Sequence, residues 1–353
     1  MNQQVRSRKN LQRLVLTSLL LTIVVIGLGA YTRLTHAGLG CPDWPTCYGL
    51  IDVPQTSAQI TAAEKAFPDR PVEIAKAWNE MIHRYFAGSL GLLILGIAIY
   101  SIKLRLSKHT ASQYPVILPI VILSIVTFQA ALGMWTVTLK LMPIIVMAHL
   151  LGGFTTLSLL FLLYLRLNAK SIENQGANLV DWQLRKYGRY ALLGISILTA
   201  QIALGGWTSS NYAAMSCVEL PICQGDWLSD LSFEQSFDLI PPSKDTYEFG
   251  HLAHNERVTI HVTHRIGAII TGVFLTWLAL MIFIKARNHR VKSAAVVLFS
   301  LLVLQIGLGI SNIWFSLPLN IAVAHNLVAA CLMLSLITLA YKLRQNSQES
   351  LYE

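Results

Sequence analysis

Four of the ten histidines in this chain recur in matched surroundings. His83 and His264 each stand directly before an arginine, in "IHR" (82–84) and "THR" (263–265). His149 and His325 each follow an alanine, in "MAH" (147–149) and "VAH" (323–325). All four fall near one end of a long apolar run, where a polar ring needs a partner and an ionisable side chain is a functional candidate by default. His149 lies six residues after Pro143 and His325 seven after Pro318, about 9–10 Å along a helix, so the two share a depth. Two imidazoles from facing helices of a four-helix bundle form the usual axial pair of a haem iron. Zinc wants three or four converging ligands, and each half of this chain offers two at that depth. The residues therefore suggest two bis-histidine haem sites, His83 with His149 and His264 with His325. The competing reading is a packed polar residue at each place. Arg84 and Arg265 stand where a guanidinium could meet a haem propionate, or where a long side chain snorkels to the interface. The other histidines suit solvated or interfacial positions: His109 and His289 in loops on one side, His36, His251 and His254 at or beyond the opposite face.

Placing these side chains is the task of the apolar runs. With 54% hydrophobic and 13% charged residues, the chain carries eight stretches long enough to span a bilayer as helix. They fall at about 14–34, 83–102, 115–138, 143–165, 189–208, 264–284, 293–315 and 319–341. The first is too long, and too polar at its end, for a cleaved signal peptide. The fold class expected is an all-α integral membrane protein. The net charge of +9 is partitioned by loop: 18 of the 27 Lys and Arg lie on one side with four acids, and nine bases with 14 acids on the other. By the positive-inside rule both termini are cytoplasmic and the long loops face outward. The basic balance is thus a topology signal and implies no nucleic-acid partner.

The chain also lies on itself at a shift of 176 residues. "LGAYT" (28–32) meets "LGGWT" (204–208), "CPDWPTC" (41–47) meets "CVELPIC" (217–223), and "FQAALG" (128–133) meets "LQIGLG" (304–309). The "IHR" and "THR" triplets meet at a shift of 181. Such a period means two four-helix repeats, here 1–170 and 171–353, in parallel orientation about a pseudo-two-fold axis along the membrane normal. All four odd-numbered spans end in a related pattern, with "LGMWT" (132–136) and "LGISN" (308–312) completing the set. Glycine for close helix approach and an interfacial aromatic belt account for it. Gln129, Gln201 and Gln305, three residues before their Leu-Gly pairs, are amides in an apolar setting. They either bond between helices or touch a ligand.

Two cysteine pairs face the oxidising side, Cys41 with Cys47 and Cys217 with Cys223, where disulfides persist. A metal clip, a redox-active dithiol and a structural staple all remain open. Cys331 lies within a span as a small hydrophobe.

Taken together these residues resemble the haem A synthase family over essentially the whole chain. The resemblance rests on eight spans in two repeats, "EMIHR" (80–84), the "AH" of the fourth span, "THR" in the sixth, "AHN" (324–326) in the eighth, and the paired outward cysteines. It implies oxidation of a haem O methyl group to the formyl group of haem A in a bacterial inner (plasma) membrane, on the periplasmic side. His264 and His325 would be the axial ligands of a resident haem b, and His83 and His149 the site of the substrate haem. Glu80 would be the catalytic carboxylate. Haem O synthase and cytochrome oxidase assembly factors would be partners, with homo-oligomerisation open. Glu80 lies one turn before His83, and the second repeat has His261 at that place. Each cysteine pair is expected to close an intraloop disulfide. Two other classes stay in view: a quinol-linked dihaem b cytochrome, and a membrane thiol oxidoreductase. The latter sits poorly with five residues between the cysteines.

Overall fold

The computed structural model describes residues 3–107, 114–173, 184–221, 223–229 and 231–348; Lys108 and His109 fall outside them. Among the described residues the chain forms helices α1 (Gln3–Leu34), α2 (Ser57–Ala66), α3 (Ile74–Leu106), α4 (Ile117–Thr138), α5 (Pro143–Glu173), α6 (Arg185–Ser210), α7 (Phe233–Ser236), α8 (His254–Lys285), α9 (His289–Trp314) and α10 (Leu319–Gln348). Eight of them, all but α2 and α7, are long and apolar enough to cross a membrane. Helix is the form that satisfies every backbone N–H and C=O of such a run from within the segment itself. The eight expected spans are all present.

Two of the boundaries differ from the sequence reading in a way that matters. The second and sixth spans, expected to open at His83 and His264, belong to helices that begin at Ile74 and His254. Each histidine is therefore well inside its helix, about 14–15 Å from the first residue at 1.5 Å per residue. The extra turns, "IAKAWNEMI" and "HNERVTIHVT", mix polar and apolar residues and so do not register as an apolar run. They form because each is covered on its apolar side by its own cysteine loop. Cys41, Cys47, Tyr48, Val53 and Ala63 are buried together with Ala77 and Met81 of α3. Cys217 and Cys223 are buried with Val258 and Val262 of α8.

The ends of the odd-numbered spans share one device. Helices α1, α4, α6 and α9 each finish by donating a backbone N–H back to the carbonyl of the last residue of the Leu-Gly pattern: Ala37 to Thr32 at 2.9 Å, Leu141 to Thr136 at 2.8 Å, Ala213 to Thr208 at 2.9 Å and Leu317 to Asn312 at 2.7 Å. This long return bond is a left-handed C-terminal cap. The residue before each donor accordingly has positive φ, namely His36, Lys140, Tyr212 and Ser316, and the donors Leu141 and Leu317 do so as well.

The chain packs as two compact units. The first contains Met1–Leu160, Ser209–Tyr212 and Glu234–Ala253; the second contains Phe161–Thr208, Ala213–Phe233 and His254–Glu353. In the first unit α1 packs on α3 and α3 on α4; in the second α9 packs on both α8 and α10. The Glu234–Ala253 stretch is fastened to the first unit by an Arg70–Glu248 ion pair at 2.9 Å. A Tyr247 N–H donating to the Lys140 carbonyl at 3.0 Å and Phe249 against the His36 ring at 5.3 Å complete the attachment.

Candidate haem-binding histidine sites

In each helical hairpin the ring of the site histidine lies over the glycine of the partner helix's Leu-Gly pair. A methyl group added at Gly29 would come within 3.0 Å of His83 Cε1. The same addition at Gly133 would meet His149 at 3.3 Å, at Gly205 would meet His264 at 3.2 Å, and at Gly309 would meet His325 at 3.3 Å. Close helix approach is thus only part of the reason for these glycines. Each is the floor on which an imidazole lies, and alanine would lift it.

In the first unit the His83 and His149 ring centroids are 6.5 Å apart, with ring planes turned by 77°. An iron between two imidazoles, at metal–nitrogen bonds of about 2 Å, sets the centroids roughly 6 Å apart. The spacing of the pair is thus of the size two imidazole ligands on one iron require. In the second unit His264 and His325 are close enough to interact electrostatically, and the donor set is again two neutral-capable imidazoles from neighbouring helices. Among the described residues no group of three or more His, Cys, Asp or Glu converges as a metal site. The two-ligand pattern suits haem better than a bare ion.

The three glutamines reach these histidines across helices. Gln201 Nε2 is 3.0 Å from His264 Nδ1 and donates to the His264 carbonyl at 3.0 Å. Gln305 Nε2 lies 3.3 and 3.2 Å from the two ring nitrogens of His325. Gln129 Nε2 donates to the His149 backbone carbonyl.

Glu80, only 4% exposed, has both carboxylate oxygens engaged. Oε2 accepts the Cys41 N–H at 2.9 Å and Oε1 pairs with Arg84. It lies six residues into α3, beyond the first turn where a helix dipole attracts an acid, so the dipole does not explain it. The Arg84 guanidinium continues into the cysteine loop, donating to the carbonyls of Asp43 at 3.0 Å and Thr46 at 2.8 Å. Arg265 does the equivalent in the second unit, donating to the carbonyls of Cys217 and, at 2.8 Å, Glu219. Its Nε–H is buried without a partner. Both arginines are thus loop clamps first. His261, at the place of Glu80 in the repeat, is equally buried at 4% exposure.

Both cysteine pairs are closed as intraloop disulfides, Cys41–Cys47 and Cys217–Cys223. The first loop is organised by Asp43, whose carboxylate accepts from the Tyr48 N–H at 2.6 Å, the Gly49 N–H at 2.9 Å and the Thr46 hydroxyl. The second is organised by Gln224, which accepts from the Val218 N–H and donates to the Ser216 carbonyl. Asp43 was legible only as the acid shared by the two loops. Its bonds run to residues three, five and six places on, beyond the two-residue reach of an Asx turn, so they have no local sequence signal.

An eight-span helical architecture with two interhelical histidine pairs, each in a unit with its own disulfide-closed loop, defines a polytopic helical membrane protein. The chain belongs to the COX15-CtaA family, described as cytochrome oxidase assembly protein, whose family model matches residues 12–337. It is 47% identical over 333 residues to the "Heme A synthase" of Shewanella oneidensis, covering 94% of this chain and 96% of that protein. It is 26% identical to the "Heme A synthase" of Shouchella clausii, over 94% and 95%. With that of Bacillus licheniformis it shares 23% identity, over 90% of each chain.

Proposed function

We propose that this protein is a haem A synthase that oxidises the methyl group of haem O to the formyl group of haem A, supplying cytochrome oxidase assembly. The observation that carries the reading is the pair of histidines 6.5 Å apart in the first unit, in a chain 47% identical to a protein of that name. The sequence repeat 1–170 would hold the substrate between His83 and His149, and the repeat 171–353 a resident haem b between His264 and His325.

Methyl to formyl is a four-electron oxidation. Balanced with water as the oxygen source it is R–CH3 + H2O → R–CHO + 4 H+ + 4 e−, by two hydroxylations to a gem-diol that loses water, with the four electrons leaving to an external acceptor. Haem b, when bound, supplies one-electron redox chemistry. The chain's own residues do the rest. His83 and His149 fix the substrate iron and so the reach of its methyl group. Glu80, one turn from His83, is the proton acceptor, held in place by Arg84 and the Cys41 N–H. The disulfide loops clamped by Arg84 and Arg265 pack on the first turns of α3 and α8, ahead of the histidines. Arg265 Nε–H, and whichever Arg84 N–H groups the loop releases, are the donors for haem propionates. The expected location is a bacterial plasma membrane, termini on the cytoplasmic side and the cysteine loops periplasmic, in keeping with the positive-inside rule.

The test is pigment analysis. Co-expressed with haem O synthase in a host that makes no haem A, the protein should yield formyl-haem in the extract. Unchanged haem O beside two permanent haem b groups would contradict the reading and indicate an electron-transfer cytochrome.

A further inference from the structure

Within the first unit a second arginine stands near the histidine pair, and it is bonded differently from Arg84. Arg33 comes four residues after Gly29, the glycine beneath the His83 ring. It therefore lies on the same face of α1, one turn or about 6 Å nearer the C-terminal end of that helix. Thr32 beside it donates to the Asn79 carbonyl at 3.2 Å, which sets this turn of α1 level with Asn79 and Glu80 of α3. Arg84 is committed to the carbonyls of Asp43, Pro45 and Thr46 and to Glu80, so it meets a ligand only by releasing the loop. Arg33 donates one hydrogen bond, from Nη2 to the Ser209 carbonyl at 2.6 Å, and its Nε–H is buried without an acceptor. Among the described residues the ion pairs are Arg70–Glu248, Lys76–Glu73 and Arg84–Glu80, and Arg33 joins none of them. Its charge rests instead on the face of Tyr212, 4.1 Å from the ring centroid. His36, stacked at 5.7 Å, and Phe249 at 6.0 Å hold that ring in place. The Tyr212 hydroxyl is itself buried with no hydrogen-bond partner. Tyr212 and Phe249 both pack as part of the first unit, so these contacts lie inside it.

We propose that Arg33, with the Tyr212 hydroxyl, forms a carboxylate-binding subsite of the first unit and receives a propionate of the substrate haem. The proposal rests on the reading that His83 and His149 hold that haem. A half-buried guanidinium with no anion beside it is costly. Its planar fork of N–H donors matches a carboxylate, and a tyrosine hydroxyl adds a neutral donor. Two imidazoles on one iron leave the macrocycle free to turn about the line between them. A charged contact at the rim fixes that angle, and with it the methyl group presented to Glu80. The second repeat has Ser209 at the place of Arg33. A haem that only relays electrons has no edge to select.

The experiment uses the full-length protein purified in detergent from a host that makes haem b but no haem O. Haem O and its dimethyl ester, in which both carboxylates are neutral, are titrated in and binding is followed by absorbance. Resident haem b per chain is read in the same samples as the check on folding. Wild type should bind haem O about 10–100-fold more tightly than the ester. Arg33→Gln should erase that preference by weakening haem O alone, and Arg33→Lys, a point charge without the fork, should recover part of it. Tyr212→Phe should weaken haem O by about 2–10-fold. An Arg33→Gln protein that keeps the full preference, or that loses haem O and the ester to the same extent, would overturn the proposal and leave the proposed function standing. Should Arg33→Gln also lose haem b, Tyr212→Phe decides, and a wild-type haem O affinity in that protein would overturn the proposal. A wild-type protein that binds neither haem O nor the ester would overturn it together with the proposed function.

Discussion

At the place where the first unit has Glu80, bonded to Arg84 and to the Cys41 N–H, the second has His261, and Arg265 reaches the carbonyls of its cysteine loop. Around that difference nearly everything is shared. Each unit has an intraloop disulfide, an arginine on the loop carbonyls, imidazoles lying on glycine, and the same left-handed cap at the ends of the odd-numbered spans. The shared parts build a frame that holds two histidines at fixed separation. The part that differs is Glu80 against His261, one turn before a site histidine. A duplicated frame was thus specialised at few positions. In the proposal, one copy processes a haem and the other keeps one.

The largest effect is expected at the acid. Glu80→Gln keeps the side chain's shape and its place against Cys41, but removes the charge that pairs with Arg84. Pigment extracts should then contain little haem A and accumulate haem O or a hydroxylated intermediate, with haem b content unchanged. His261→Gln should leave haem A output near wild type. Equal losses from both would mean that the two positions share a structural task.

A second comparison sets Arg84 against Arg265. Arg84→Ala strands a buried carboxylate as well as the loop carbonyls of Asp43, Pro45 and Thr46, and breaking such a pair costs about 3–5 kcal/mol. Arg265→Ala strands only carbonyls, at about 1–3 kcal/mol. The midpoint of thermal unfolding in detergent should therefore fall further for Arg84→Ala. The reverse order would show that the ion pair with Glu80 is not what secures the first loop.

The smallest effect concerns the loops themselves. Asp43→Ala removes the acceptor for two backbone N–H groups and a hydroxyl, about 1–2 kcal/mol by analogy with capping side chains. Glu219→Ala, at the matching acid, should be near neutral because Gln224 organises that loop. Limited proteolysis of the two loops, with disulfides intact, reads the difference directly.

What the amino-acid sequence revealed, and what it concealed, follows the range of the interactions. Eight spans and two cysteine loops were legible because apolar length and a 176-residue self-match are one-dimensional signals. The N-terminal turns of α3 and α8 were not, since residues such as Lys76 and Glu80 interrupt the apolar run. Their burial depends on a cysteine pair some 30–45 residues away. The amides of Gln129, Gln201 and Gln305 were visible as residues needing partners. That the partners are the histidines themselves depends on the register between neighbouring helices. Arg84 and Arg265 were read for their proximity to a histidine, whereas their hydrogen bonds run to carbonyls 38 to 48 positions distant. Packing of Glu234–Ala253 with the first unit has no local signature at all, because it depends on pairs such as Arg70 with Glu248.

The central claim is that the two histidine pairs serve different haems, and half-specific substitution tests it most directly. His264→Leu and His83→Leu proteins would be purified from the haem O-producing host, and their low-spin haem b spectrum and extractable haem A measured side by side. The account predicts that His264→Leu loses the haem b signal, since a six-coordinate iron is deprived of an axial ligand. His83→Leu should retain that signal and make no haem A. Loss of the same signal to the same extent in both proteins would contradict the account.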